Sequence, residues 1–341
     1  MVIKVSRFCL FCLPILLADY SGAQLLFNSP ERLQISIQGN IDKLIRDNGE
    51  ERGWHPLRLL VDDISLDVML RVRGNFRRKE CEFPPLMVKF RRKQVRGTVF
   101  EGQAHLKLVT HCKRNRSYSV NTYEEYLAYR LFNEVTDKSF RVQLLQVNYQ
   151  DGESQQTKPA FFIEDVDALA KRTGGEHIEP DYIASKDLDP LHLAQSSIFQ
   201  YMIGNTDFSF IAPMEGDSCC HNAKLIRANN ITYSVPYDFD FSGMVDALYA
   251  GSNSMVKVKD VRVRQYRGFC TEPETLNSAL DRVRTVESNL AGLFNSVTGL
   301  TEKEGRKSLR YVQGFFKIIN RSGSQVFEKS CRKTRPGGSA D

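Results

Sequence analysis

The 341-residue chain carries 47 Lys plus Arg against 41 Asp plus Glu, a formal net charge of +6, and 41% of its residues are hydrophobic. That balance excludes wholesale disorder and a minimal stapled scaffold, and it leaves room for one large domain or two lobes. The basic excess is mild. FRRKQVR at 90–96 and CRKTR at 331–335 lack the long basic stripe with interleaved aromatics that nucleic-acid binders show, so they read as solvated faces and no nucleic-acid partner is expected.

The chain opens with Lys4 and Arg7, an apolar run from Phe8 to Ala18, and the small residues Ser21-Gly22-Ala23. This pattern predicts a secretory signal over 1–23, with a mature protein that starts near Gln24 and is secreted or periplasmic. Nothing later reaches spanning length, so no stable membrane span is expected after cleavage. Cys81, Cys112, Cys219, Cys220, Cys270 and Cys331 remain, an even number that predicts disulfides without choosing their pairing. A zinc site is disfavoured because no CxxC pair survives.

From Glu31 to about Phe90, LQISI, HPLRLLV, ISLDVMLRVRG and PPLMVKF alternate and are punctuated by Gly, Pro and Asp, which predicts an antiparallel sheet. AHLKLVTHC at 104–112 is a further strand. Asn121, with Glu124 three residues on, predicts a helix start, and Tyr123, Leu127, Leu131 and Val135 share one face of that helix. RVQLLQVNY at 141–149 and KPAFFIEDV at 158–166 form a strand pair, after which the pattern turns helical near Asp165. Asp189-Pro190 opens a helix that closes at Gly204, and residues 205–222 read as an irregular loop. AKLIR and ITYSVPYDF flank a turn at 228–230, so Asn222 and Asp238 should face each other within about one position. Helical patterns cover about 273–297 and 301–320, and the tail 331–341 has the composition of a frayed end.

Asp207, Asn222, Asp238 and Asp240 therefore gather where regular elements end. Carboxylates and an amide are hard oxygen donors that suit magnesium or manganese, and a carboxylate beside such an ion suits phosphoryl transfer. His221 reads as structural. Arg262, Arg264 and Arg267 read as a solvated basic face rather than as an anion site. The sequons at Asn115, Asn230 and Asn320 matter only in a glycosylating host.

In order along the chain, RVRGNFRR, LMVKF, YEEYLAYRLFNE, FFIEDVD, IGNTDFS, HN and PYDFDFSG resemble the CotH-type secreted kinases. The resemblance implies an α+β, protein-kinase-like fold of two lobes: a β-rich antiparallel N-terminal lobe over 24–165, and a mainly helical C-terminal lobe over 166–330 that carries a catalytic hairpin. ATP would lie between them, with Phe162 to Asp165, including Glu164, at the hinge. Carried over by position, Asp207 is the catalytic aspartate, Asn222 and Asp238 bind the metal, and Asp240 is a second ligand or an orienting group. Lys89 matches the nucleotide lysine narrowly better than Lys107, which lies nearer Glu125, its possible ion-pair partner; Arg73 would contact phosphate. Two features depart from the kinase pattern: there is no GxGxxG loop, and fifteen residues separate Asp207 from Asn222. The implied activity is metal-dependent ATP phosphotransfer to Ser/Thr hydroxyls of a protein. The alternatives are a non-catalytic, pseudokinase-like interaction protein and nucleotidyl transfer on the same scaffold.

Overall fold

The computed structural model describes residues 25–212, 219–251 and 258–333. The segment read as a signal lies outside them, as does most of the tail. No described helix is long and apolar enough to cross a membrane.

The fold is α+β. A short helix α1 (Leu25–Asn28) leads to β1 (Leu33–Gln38), α2 (Ile41–Arg46), β2 (His55–Val61), β3 (Ile64–Val72), α3 (Phe76–Glu80), β4 (Leu86–Phe90), β5 (His105–Val109), α4 (Arg116–Val135), β6 (Val142–Asp151) and β7 (Ser154–Ile163). These seven strands close into a barrel in the order β1-β2-β3-β4-β5-β7-β6. The expected all-antiparallel sheet is corrected at one seam: β1 runs parallel to β6, pairing Leu33 with Leu145 and Gln38 with Gln150. Closure removes both sheet edges, and inward residues such as Ile37, Leu59, Leu70, Val88, Leu108 and Val147 fill the interior.

The second half holds α5 (Val166–Arg172), β8 (Glu176–Ile178), α6 (Pro190–Ile203), β9 (Ala223–Ala228), β10 (Ile231–Pro236), α7 (Pro273–Arg284), α8 (Leu290–Asn295), α9 (Glu302–Ser322) and α10 (Gln325–Glu328). Strands β10, β9 and β8 form a small antiparallel sheet. Helix α4 belongs to this half by packing. Its Leu127, Leu131 and Phe132 share a core with Phe199, Leu280, Val312 and Phe315, so it sits between the barrel and the helices. It starts earlier than expected, capped by Asn115, whose side chain accepts from the Ser117 N–H, while Asn121 lies inside the helix and donates to the Val245 carbonyl.

The six cysteines pair as Cys81–Cys112, Cys219–Cys220 and Cys270–Cys331. The first ties the end of α3 to the segment after β5. The third fastens the start of α7 to the C-terminal segment, whose Arg332 carbonyl accepts from the Cys270 N–H.

Candidate active site

Helix α6 ends at Gly204 in the left-handed conformation (φ 68°), and a side chain there would run into the Tyr311 hydroxyl. The chain then turns out of the helix. Buried Phe208 and Phe210 anchor the following loop in a small apolar cluster with Ile183, Leu188 and Leu225, leaving Asp207, just before them, at the surface of a cavity. Asn205 accepts from the Asp207 N–H, and Arg267 donates to the carbonyls of Thr206 and Phe208.

The β9–β10 hairpin turns at Asn229-Asn230, both at positive φ, and pairs Ala223 with Pro236. Asn222 and Asp238 follow at its open end, one position out of register, and both are left-handed (φ 54° and 64°). These conformations turn the two side chains out of the ladder. The Tyr237 N–H donates to the Asn222 carbonyl, and the Asp238 N–H donates to the Tyr129 hydroxyl at 2.8 Å. The Asn222 amide nitrogen donates to the Asp207 carbonyl and carboxylate, at 2.8 and 3.1 Å, which leaves its oxygen for a ligand. His221 sits 2.9 Å from the other Asp207 oxygen, and that hydrogen bond raises the imidazole above its ordinary pKa.

Asp207, Asn222, Asp238 and Asp240 line one cavity of about 330 Å³, together with Arg73 and Gly74. Behind Asp238, one turn apart on α4, lie Glu125 and Tyr129. Glu125 is 1% exposed and pairs with Arg77 of α3 at 2.9 Å; Arg77 also lies 3.7 Å from Asp240. Burial, opposed by Arg77, raises the Glu125 carboxyl. Burial and then Asp238 raise that of Asp240, which accepts from the Tyr249 hydroxyl at 2.9 Å. The Glu125, Asp238 and Asp240 carboxylates each offer an oxygen within 4.8 Å of the others.

The remaining expectations are redistributed. Lys89 does not reach the cavity: Val88 and Phe90 point into the barrel, so Lys89 points out, exposed, with its Nζ 5.7 Å from the Trp54 ring. Lys107 also points out of the barrel. It lies opposite Met87, two residues along from Lys89, where the outer face meets the helical half. Its Nζ stands 4.7 Å from the Tyr237 ring, and burial followed by the nearby Arg73 charge lowers its pKa to about 8. Glu125 is paired with an arginine and not with Lys107. Glu164 is not a cavity residue: Arg172 grips both its oxygens at 2.9 Å, and the Arg141 N–H adds a third bond. Nor do the three arginines form a solvated face. Arg264 donates to the Met202 and Tyr311 carbonyls, Arg262 pairs with Asp246, and Arg267 holds the Asp207 loop.

Sequence reasoning missed Arg77 and Tyr129 and took Arg267 for part of a solvated face. Tyr129 alone left a signal, standing four residues after Glu125 on a helical face.

The described chain is thus an α+β protein whose strand barrel and helical half frame a carboxylate-rich cavity. No protein-family model and no curated protein matches the sequence. Among solved structures, it is similar to a Helicobacter pylori proinflammatory kinase, CtkA, at 11% identity and a TM-score of 0.39, over 83% of this chain and 94% of that one.

Proposed function

We propose that the chain is an exported, metal-dependent phosphotransferase of two-lobed, kinase-like build, divided near Asp165, which transfers phosphate from ATP to Ser or Thr hydroxyls of a protein. The observation that carries the reading is the convergence of Asp207, Asn222 and Asp238, from a helix-ending loop and the two ends of a hairpin, on one cavity that Arg73 also lines.

In this reading Asp207 accepts the hydrogen bond of the acceptor hydroxyl. A carboxylate has about four lone-pair sites, so the bonds from His221 and Asn222 orient Asp207 without exhausting it. Arg73 holds phosphate oxygens in the cavity, and Lys107, behind Tyr237, is the better-placed lysine for a nucleotide. The donor set fits magnesium or manganese: the Asn222 oxygen is turned away from Asp207, and Asp238 stands beside it on the cavity wall. When bound, such an ion would screen the charge of the phosphates.

One observation favours a second reading, a secreted interaction protein that holds a partner without catalysis. Kinases pair the helix glutamate with a strand lysine, whereas here Glu125 is paired with Arg77. The test is transfer of labelled γ-phosphate from ATP to protein acceptors, with intact mass recorded. Wild type should add the mass of a phosphate, and Asp207→Asn should lower the rate at least about a hundredfold. Label-free acceptors from a wild-type sample that binds ATP would move the assignment to the interaction protein. Addition of a nucleotide mass would identify nucleotidyl transfer.

A further inference from the structure

We propose that Glu125 is itself a divalent-cation ligand, sharing an inner site with Asp238 and Asp240, and that Arg77 acts as the counter-charge holding that site in shape. The inference adds a ligand and a second cation position to the function proposed above, but it concerns ion binding and stands whether or not a hydroxyl is phosphorylated.

Glu125 presents its two oxygens differently. Oε2 takes the Arg77 guanidinium at 2.9 Å, whereas Oε1 is buried and has no hydrogen-bond partner among the described residues. A carboxylate oxygen removed from water without a partner is costly, so its persistence at the back of a polar cavity calls for a ligand. A buried carboxylate oxygen is answered by a cation or a proton. Three acid groups gather here and one guanidinium, Arg77, is in ion-pair contact with them among the described residues, so carboxyls outnumber the cations that touch them in a largely buried cluster. A divalent cation would answer that excess.

The spacing agrees. Oxygens on opposite sides of a magnesium or manganese ion lie roughly 4.2 Å apart, and about 4.6–5.2 Å apart around calcium. Oxygens of Glu125, Asp238 and Asp240 lie within 4.8 Å of one another, so one ion could touch all three after little movement. The frame is rigid on each side. Tyr129 holds the Asp238 backbone, Tyr249 donates to Asp240, and Arg77, braced by the Thr110 carbonyl, holds the rear of Glu125. Asp238 also borders the cavity that Asn222 lines, so it can bridge the inner ion and one held at Asn222.

The test is a calorimetric titration of the full chain with Mn²⁺ alone, without nucleotide, followed by the same titration with ATP. The proposal expects saturable nucleotide-free binding that Glu125→Gln weakens at least about tenfold while Lys89→Ala, exposed and outside the cavity, leaves it unchanged. Arg77→Gln removes a positive charge that repels an incoming cation, while the bonds of Tyr129 and Tyr249 keep Asp238 and Asp240 in place. It should bind Mn²⁺ more tightly than wild type and gain more melting temperature from the ion. A Glu125→Gln protein that folds and binds Mn²⁺ like wild type would overturn the assignment, as would an Arg77→Gln protein with unchanged affinity. Mn²⁺ binding that appears only with ATP and ignores Glu125→Gln would also overturn it, yet would leave the Asn222 and Asp238 reading intact.

Discussion

Glu125 and Glu164 are two buried glutamates, each facing an arginine, and they do opposite things. Glu164, 4% exposed, sits where β7 gives way to α5, and both its oxygens are held by protein: Arg172 takes each of them and the Arg141 N–H adds to one. The cavity beside that pair, also about 330 Å³, is bordered by Arg141 and by Arg172, whose charge is matched by Glu164. Glu125, 1% exposed, gives one oxygen to Arg77 and leaves the other unpartnered among the described residues, in a cluster where carboxyls outnumber the cations in contact with them. Size and burial do not separate the two regions. Charge balance does: a matched pair makes a clamp, and an unmatched one makes room for a ligand.

The comparison breaks most visibly at the clamp. Arg172→Met strands the buried Glu164 carboxylate without its cation, and should cost about 3–5 kcal/mol in urea unfolding. A loss below about 1 kcal/mol would mean that the pair is not holding the junction. At the other glutamate the same kind of change should be mild. Glu125→Gln keeps the shape and lowers the charge excess, so stability in the absence of metal should stay within about 1 kcal/mol of wild type or rise. A loss as large as that of Arg172→Met would make Glu125 a second clamp and erase the distinction.

Lys107 sharpens it through pH. Its pKa in the fold, lowered to about 8, lies below the ordinary 10.5, so at neutral pH folding buries a charge that the unfolded chain keeps in water. Between those values the unfolded chain holds the proton that the folded one has released, so stability rises with pH across that window. Lys107→Met should therefore raise the melting temperature at neutral pH, with the gain shrinking as pH climbs from about 8 towards 10.5. A pH-independent gain would show that Lys107 keeps its proton through another contact. The smallest effect is expected at Lys89, exposed beside Trp54. Lys89→Ala should change stability by no more than about 0.5 kcal/mol and leave nucleotide binding untouched in the same titrations. Weakened ATP binding would return this lysine to the site.

Local rules decided a good deal of this protein before any packing was known. The alternation of Leu86, Val88 and Phe90, the proline-led start and glycine stop of α6, and the turn between β9 and β10 are written in residues a few positions apart. Because a hairpin has one register, Asn222 and Asp238 were legible as neighbours from the same information. The rest depended on which surfaces meet. Alternation says that Lys89 and Lys107 both leave the barrel wall, but only closure of the barrel against α4 and the helical half determines that one meets solvent and the other meets Tyr237. The parallel β1–β6 seam joins strands that more than a hundred residues of chain separate. Arg77 reaches Glu125 across 48 positions, and Arg267 reaches the Phe208 carbonyl across 59. Ion pairs and backbone clasps of that span leave no periodic trace. The type of site therefore stood in the sequence as a set of oxygen donors at element ends, while its charge balance, and with it the role of Glu125, was decided by the tertiary structure.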